Sequence, residues 1–187
     1  MSTQIPLTFM LVIILITMLG ACDNRAAQML VDAEKCDEQR QAGNLQNAEI
    51  LCTRALGDAN ELELDPDTRS SRLYELGSIK RQLSKFKEGE ELLRQSLAIE
   101  EEMPSSQVGV ALRLYELSLV LAGQSRWQEG THFLERTIPL ANHLDANQQN
   151  SLAQTLKHYA RRMESEQPQT ASRFRIAANE MGEQKSQ

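Results

Sequence analysis

Residues that could do chemistry are few in this chain, and they do not form a recognisable catalytic set. The three histidines, His132, His143 and His158, have no Cys, His or carboxylate at the spacing of a metal site. The sequence contains no glycine-rich phosphate loop and no Gly-x-Ser-x-Gly turn. The acidic residues Glu88, Glu90 and Glu91, and the run 100–102, fit solvent-exposed helix surface better than acid/base pairs. We therefore expect no enzyme activity, no cofactor, no metal and no small-molecule substrate.

The composition indicates a globular protein that does not bind nucleic acid. The 187 residues are 41% apolar and 25% charged, which is enough for one modest domain. Acidic residues number 26 against 20 basic ones, so the net charge is −6. Lys and Arg do not gather in one segment, as a phosphate-binding surface would require.

The chain opens with an apolar segment of signal-peptide type. Residues 5–21 carry no charge, and the most apolar part, 7–19, matches a secretory hydrophobic core of about 7 to 15 residues. "LGAC" follows at 19–22. It resembles the bacterial lipobox, in which a Leu and two small residues precede a diacylated Cys that begins the mature protein. The resemblance implies a signal peptide at 1–21 and a lipid on Cys22; an uncleaved membrane anchor is the alternative.

Lipidation of Cys22 would hold the chain on a membrane outside the cytoplasm. Two or more acyl chains give stable attachment, whereas one gives only marginal binding. The expected location is a bacterial cell envelope, facing the periplasm. Asp23 and Asn24 resemble the inner-membrane retention signal of enteric-type lipoproteins, so the inner membrane is favoured over the outer.

The body of the chain repeats with a period of 41 residues. The pentapeptide "RLYEL" occurs at 72–76 and again at 113–117. Four small residues recur at the same interval: Ala48, Gly89, Gly130 and Ala171. Around each, buried residue types recur at i, i+3, i+4, i+7 and i+8, the pattern of one helix face. "RLYEL" lies on a preceding helix, so the pattern predicts an all-α fold of about four antiparallel helix pairs.

Turn and capping residues agree with this division. Asp65 followed by Pro66 predicts a helix start, and residues 104–106 predict another. Turns within pairs are predicted at 42–44 and 122–125.

A period of this length with two helices per unit is typical of a solenoid. Segments 76–99 and 117–140 resemble tetratricopeptide repeats (TPRs): a small residue on the first helix, an aromatic residue opening the second, and small residues twelve and nineteen positions further on. The period is that of the long, kinesin-light-chain-like variant, and HEAT-like repeats are a minor alternative. The resemblance implies a right-handed superhelical array at 27–182, after a tether at 22–26 and before a disordered tail at 183–187.

Two cysteines flank the first predicted turn at equal distances. Cys36 and Cys52 lie eight residues on either side of Asn44, so an antiparallel pair places them level. In an oxidising compartment a disulfide can form if the Cα atoms approach within about 7 Å. The alternative is a pair of small buried apolar side chains.

Helix-pair solenoids characteristically offer a concave surface to a partner segment. The TPR resemblance implies that first helices line it, with five residues facing the concavity: Tyr74, Ser78, Arg81, Tyr115 and Leu119. The tyrosines could instead pack between repeats as core. The family's carboxylate-clamp pattern is not present. The predicted function is a membrane-anchored adaptor for an unidentified protein partner; an anchored chaperone or a permanent subunit of an envelope or secretion complex is the alternative.

Overall fold

A computed structural model describes the backbone of residues 7–103 and 107–183, and the side chains of 24–103 and 107–182. These residues form eight α-helices and one 3₁₀ helix, with no strand among them. The α-helices are α1 (Leu7–Gln41), α2 (Leu45–Glu61), α3 (Pro66–Gln82), α4 (Phe86–Glu102), α5 (Gln107–Gly123), α6 (Trp127–Thr137), α7 (Ala146–Met163) and α8 (Pro168–Glu183). The 3₁₀ helix, Ile138–His143, directly follows α6. The predicted all-α fold is confirmed.

The chain divides into two compact units, Met1–Arg72 and Leu73–Gln187, and the division falls within α3. In the first unit α1 packs on α2. In the second unit α5 packs on both α4 and α6, and α7 packs on α8. Short turns join the members of each pair, so α1 and α2 run antiparallel, as do α5 and α6 and also α7 and α8.

Buried apolar stripes hold each unit together. In the first unit Met29, Ala33 and Ala55 form a small cluster with Leu64 against it. In the second, one cluster centres on leucines of α4 and α5: Leu93, Leu97, Leu114, Leu117 and Leu121. Another joins α6, α7 and α8 through larger side chains: Leu134, Leu156, Tyr159 and Phe174. The small residues of the 41-residue period are all buried, as the helix pattern predicts.

The predicted start of α3 is confirmed by its cap. The carboxylate of Asp65 accepts hydrogen bonds from the backbone N–H of Thr68 at 2.9 Å and from its hydroxyl at 2.8 Å. The backbone bond in particular lowers the pKa of Asp65 below its ordinary value. The helix start predicted at 104–106 lies outside the described residues.

In the third pair the second helix is shorter than in the second pair. The buried stripe around Gly130 reaches Ile138 at i+8, but α6 ends at Thr137 and gives way to the 3₁₀ helix. Pro139 explains the change, because it lacks the N–H that would continue the α-helical ladder and its ring clashes with the preceding turn. The chain then restarts at Asp145, whose side chain and that of Gln148 form a capping box for α7.

Candidate functional site

The five predicted partner-binding residues lie on two first helices of the second unit. Tyr74, Ser78 and Arg81 occupy α3 at helical spacing, and Tyr115 and Leu119 occupy α5 in the same way. Residues three or four positions apart share a helix face, so each helix presents its members together. All five side chains are half-buried. We call this set the first-helix face.

Arg81 is tied to the neighbouring first helix by an ion pair. Its Nε lies 2.6 Å from Oε2 of Glu116, and its Nη2 lies 3.4 Å from Oε1. Glu116 is buried, whereas Arg81 is partly exposed. The guanidinium therefore holds α3 against α5 and fixes the spacing of the first-helix face.

Tyr115 makes the corresponding link from α5 to α7. Its hydroxyl lies 3.2 Å from Oγ1 of Thr155. Burial raises the pKa of Tyr115 above its ordinary value, so the phenol is neutral at physiological pH. A neutral phenol can both donate and accept a hydrogen bond, as its position beside the Thr155 hydroxyl requires.

Tyr74 lies beneath a buried arginine. The guanidinium carbon of Arg113 is 4.6 Å from the centre of the Tyr74 ring, a cation–π geometry. Tyr74 and Tyr115 thus each make an internal contact while remaining half-exposed. The sequence leaves open whether these tyrosines face the concave surface or pack between repeats. The structure is compatible with both roles for the same side chain.

Sequence reasoning did not anticipate that Arg113 and Glu100 would be buried together. Nη2 of Arg113 lies 2.8 Å from Oε1 of Glu100, and their side chains are only 7% and 3% exposed. Nε of Arg113 donates to Oγ of Ser96 at 3.0 Å. The expectation that residues 100–102 all lie on solvent-exposed surface is therefore wrong for Glu100. A buried charge pair of this kind is supported by the hydrogen bonds around it.

Ser78 and Leu119 differ from the other three members of the face. In the part of the chain that the structure describes, the Ser78 hydroxyl has no hydrogen-bond partner, and Leu119 belongs to none of the buried clusters given above. A partner could bond the Ser78 hydroxyl without breaking an internal hydrogen bond. They are the members of the face best suited to substitution experiments.

Cys36 and Cys52 meet where α1 and α2 cross. Their Cα atoms are 5.5 Å apart and the structure joins the sulfurs in a disulfide. One period later the same two positions hold Gly77 and Leu93, and a Cβ added to Gly77 would lie 2.8 Å from Cγ of Leu93. The first pair therefore has two sulfurs at the crossing where the second pair has a glycine and a leucine.

The remaining candidates make no further site. The signal peptide predicted at 1–21 and the lipid site Cys22 lie outside the residues whose side chains are described. The three histidines are exposed, and the described residues contain no group of three potential metal ligands. Among residues 24–103 and 107–182, no helix combines the length and apolarity needed to cross a membrane.

Comparison with known proteins gives the fold and no closer assignment. No protein-family model and no curated protein sequence matches the chain. The structure does match a crystal structure of nearly identical TPR-like repeats from a candidate kinesin light chain of Podosopora anserina. The TM-score is 0.60 at 19% identity, over 84% of this chain and 76% of that one. A point variant of those repeats gives a TM-score of 0.56 at 21% identity, over 83% and 72% of the two chains.

The protein has a TPR-like repeat fold. At this identity the likeness concerns architecture only, since one scaffold of this kind serves many unrelated functions. It agrees with the 41-residue period and with the kinesin-light-chain-like variant that the sequence resembles. Folds of this type are typically non-catalytic scaffolds for protein–protein interaction.

Proposed function

We propose that this protein is a membrane-anchored, periplasm-facing adaptor that binds a segment of a protein partner on its first-helix face. The observation that carries the proposal is the geometry of that face. Tyr74, Arg81 and Tyr115 are positioned by internal contacts yet stay half-exposed, and Ser78 and Leu119 each follow a tyrosine by one helical turn. Side chains that are already ordered lose less conformational freedom on binding, which favours affinity.

The anchor in this proposal is a lipid on Cys22. Met29, the first buried core residue among those whose side chains are described, follows within the same helix, about 10 Å further along at the α-helical rise per residue. An anchored chain would therefore keep its first unit close to the bilayer. The proximity of Cys36 to Cys52 supports a location outside the cytoplasm, because disulfides persist in oxidising compartments.

The surface of the second unit favours an adaptor over a permanent subunit. Among its described residues, only two large apolar side chains are well exposed, Val108 at 43% and Ile176 at 56%. Obligate interfaces are large and apolar, whereas single exposed apolar residues are normal on monomers. We therefore expect this unit to engage its partner reversibly.

Capture after in-cell crosslinking tests the adaptor role. The bait variant carries Ser78→Glu and Leu119→Glu, and the control carries Ile176→Glu on α8. Envelope proteins that are captured by the wild type and by the control, and lost from the double variant, would support the proposal. Thermal unfolding of all three proteins checks that the folds are equally stable.

Two outcomes contradict the proposal. If the same proteins are captured by the double variant, the partner uses another surface. If the wild type captures no specific protein, the adaptor role is wrong.

The anchor has its own test in a Cys22→Ala variant. The wild type should fractionate with membranes and yield a mature amino terminus at Cys22 with the mass of added acyl chains. The variant should lose that mass. A wild-type protein whose mass includes an unprocessed leader and no lipid would overturn this part of the proposal.

A further inference from the structure

Helix α7 differs in charge from every other α-helix in the described part of the chain. It holds Lys157, His158, Arg161 and Arg162 and has no Asp or Glu in its 18 residues. Each of the other seven contains at least one acidic residue. This local basic surface stands out because the whole chain has a net charge of −6.

The basic side chains of α7 also lack the carboxylate partners that other arginines have. Most arginines lie within 4.0 Å of a carboxylate, namely Arg25, Arg40, Arg54, Arg81, Arg94, Arg113, Arg126, Arg136, Arg173 and Arg175. Among the described residues, Lys157, Arg161 and Arg162 have none. The two acids just after the helix are engaged elsewhere, Glu164 with Arg175 and Glu166 with Gln128.

The end of α7 is held in place by an aromatic contact. The Arg162 guanidinium lies 5.1 Å from the centre of the Trp127 ring, and the His158 ring lies 5.3 Å from it. Trp127 in turn packs edge-on against the buried Tyr159. The backbone that displays Lys157 and Arg161 is therefore fixed by packing.

A favourable interaction with the helix dipole accounts for part of this pattern, since cations stabilise helix carboxyl termini. It does not account for the absence of neighbouring carboxylates. Elsewhere on this protein arginines near helix ends, such as Arg40 and Arg136, have acidic partners. The basic end of α7 is thus a charged surface that nothing in the described structure neutralises.

From these observations, and resting on the proposed protein-binding function, we propose that the face of α7 that carries Lys157 and Arg161, with Arg162 beside it, binds a short acidic segment of the partner protein. The three cations span about 7.5 Å of helix, a length that suits two or three carboxylates. Long polyanions and anionic membranes fit less well, because the rest of the surface is acidic and would repel them.

Trp127 offers a direct measurement, because it is the only tryptophan of the chain and lies against Arg162. The probe is a ten-residue oligoglutamate peptide, titrated at about 0.1 M salt while Trp127 emission is recorded. The test variant carries Lys157→Gln and Arg161→Gln, which leaves the Arg162 contact with Trp127 in place. The control carries Arg136→Gln and Arg173→Gln, an equal loss of charge on α6 and α8.

We expect saturable binding of the peptide by the wild type and by the control, and a Kd at least about fivefold weaker for the test variant. A neutral Gly-Ser peptide of the same length should give no change. The proposal is overturned if the peptide does not bind, if both variants weaken binding equally, or if anionic vesicles change Trp127 emission while the peptide does not.

The same variants separate this inference from the adaptor role. If in-cell crosslinking captures a partner equally well with Lys157→Gln and Arg161→Gln, the adaptor role stands and the acidic-segment site fails. If the peptide binds as expected but no partner is captured, the site exists and the adaptor role fails.

Discussion

At the residue scale, Glu100 and Arg113 form an ion pair in the interior of the second unit. Both side chains are almost fully buried, and Ser96 and the Tyr74 ring surround the guanidinium. Removing one partner would leave the other as an uncompensated buried charge. We expect Glu100→Gln to lower the free energy of unfolding by about 3 kcal/mol, measured by urea denaturation.

A double-mutant cycle separates the interaction energy between Glu100 and Arg113 from the cost of burying each charge. Replacing both partners, as Glu100→Leu with Arg113→Met, should cost clearly less than the two single changes added together. Additive losses would mean that the two groups do not interact in solution. A single-variant loss below about 1 kcal/mol would place the pair among ordinary surface salt bridges.

The burial of Glu100 could be predicted from the sequence, but the identity of its ion-pair partner could not. Position 100 follows Leu93 by seven residues and Ser96 by four, so it continues the buried stripe of α4. The acidic run 100–102 obscured this, because Glu101 and Glu102 do lie on the exposed side. That Arg113 supplies the countercharge depends on how α4 meets α5, which periodicity along one helix does not specify.

At the scale of helices, glycines mark where two helices approach closely. A Cβ added to Gly89 on α4 would lie 2.9 Å from the backbone oxygen of Gly77 on α3, and backbone cannot move aside. Gly57 on α2 has no atom within 4 Å of the same position. We expect Gly89→Ala to destabilise by about 1–3 kcal/mol.

Gly57→Ala is the matched control for that substitution. It should stabilise by about 0.5–1 kcal/mol, because alanine loses less backbone entropy in a helix. Thermal unfolding of the two variants gives the comparison. Equal effects of the same sign would show that helix propensity, and not the close approach, determines the response at Gly89.

A second feature at this scale is the carboxylate of Glu90, which joins α4 to the start of α6. It accepts from Gln124 at 2.7 Å and pairs with Arg126 at 2.5 Å and Arg94 at 2.8 Å. Desolvation by burial opposes ionisation, but these bonds outweigh it and lower the pKa of Glu90 below its ordinary value. The unfolded chain then binds the proton more readily than the folded one.

The sign of the pH dependence follows from that difference. The stabilisation by Glu90 is present above its unfolded pKa of about 4.5 and is lost as the pH falls through the lower folded value. We expect Glu90→Gln to lower stability at pH 7 and to reduce the further loss between pH 5 and about pH 3. Unfolding midpoints at several pH values measure this. If the unfolding midpoints of the wild type and of Glu90→Gln change with pH in parallel, Glu90 does not contribute to the pH dependence of stability.

The element boundaries were predictable where one residue determines them. Asp65 and Pro66 mark the start of α3 because capping and proline chemistry are local. The end of α6 just before Pro139 has an equally local cause, because proline cannot continue the α-helical ladder, but the 41-residue pattern alone does not mark it. The four-helix-pair architecture followed from the period alone, because buried residues at repeated spacing require a neighbour to cover them.

At the scale of the whole molecule, stability is expected to differ between the two units. In helical repeat arrays each pair contacts only its neighbours, so a bond within one pair stabilises that region first. The first unit has a small described apolar cluster and the Cys36–Cys52 bond. The sequence of the second unit contains no cysteine. Reduction of this disulfide should therefore lower the stability of the first unit.

The measurement is amide hydrogen exchange of a Cys22→Ala protein, with and without reductant. The disulfide closes a loop of 16 residues, which in the chain-entropy model contributes about 3 kcal/mol. We expect protection in α1 and α2 to fall on reduction, while α7 and α8 keep theirs, since local opening is reported separately by each segment. A Cys36→Ser, Cys52→Ser protein should show the same protection as the reduced form, and its protection should not change when reductant is added. Two reactive thiols in the unreduced Cys22→Ala protein would refute the bond, and loss of protection in α7 and α8 as well would refute its restriction to the first unit.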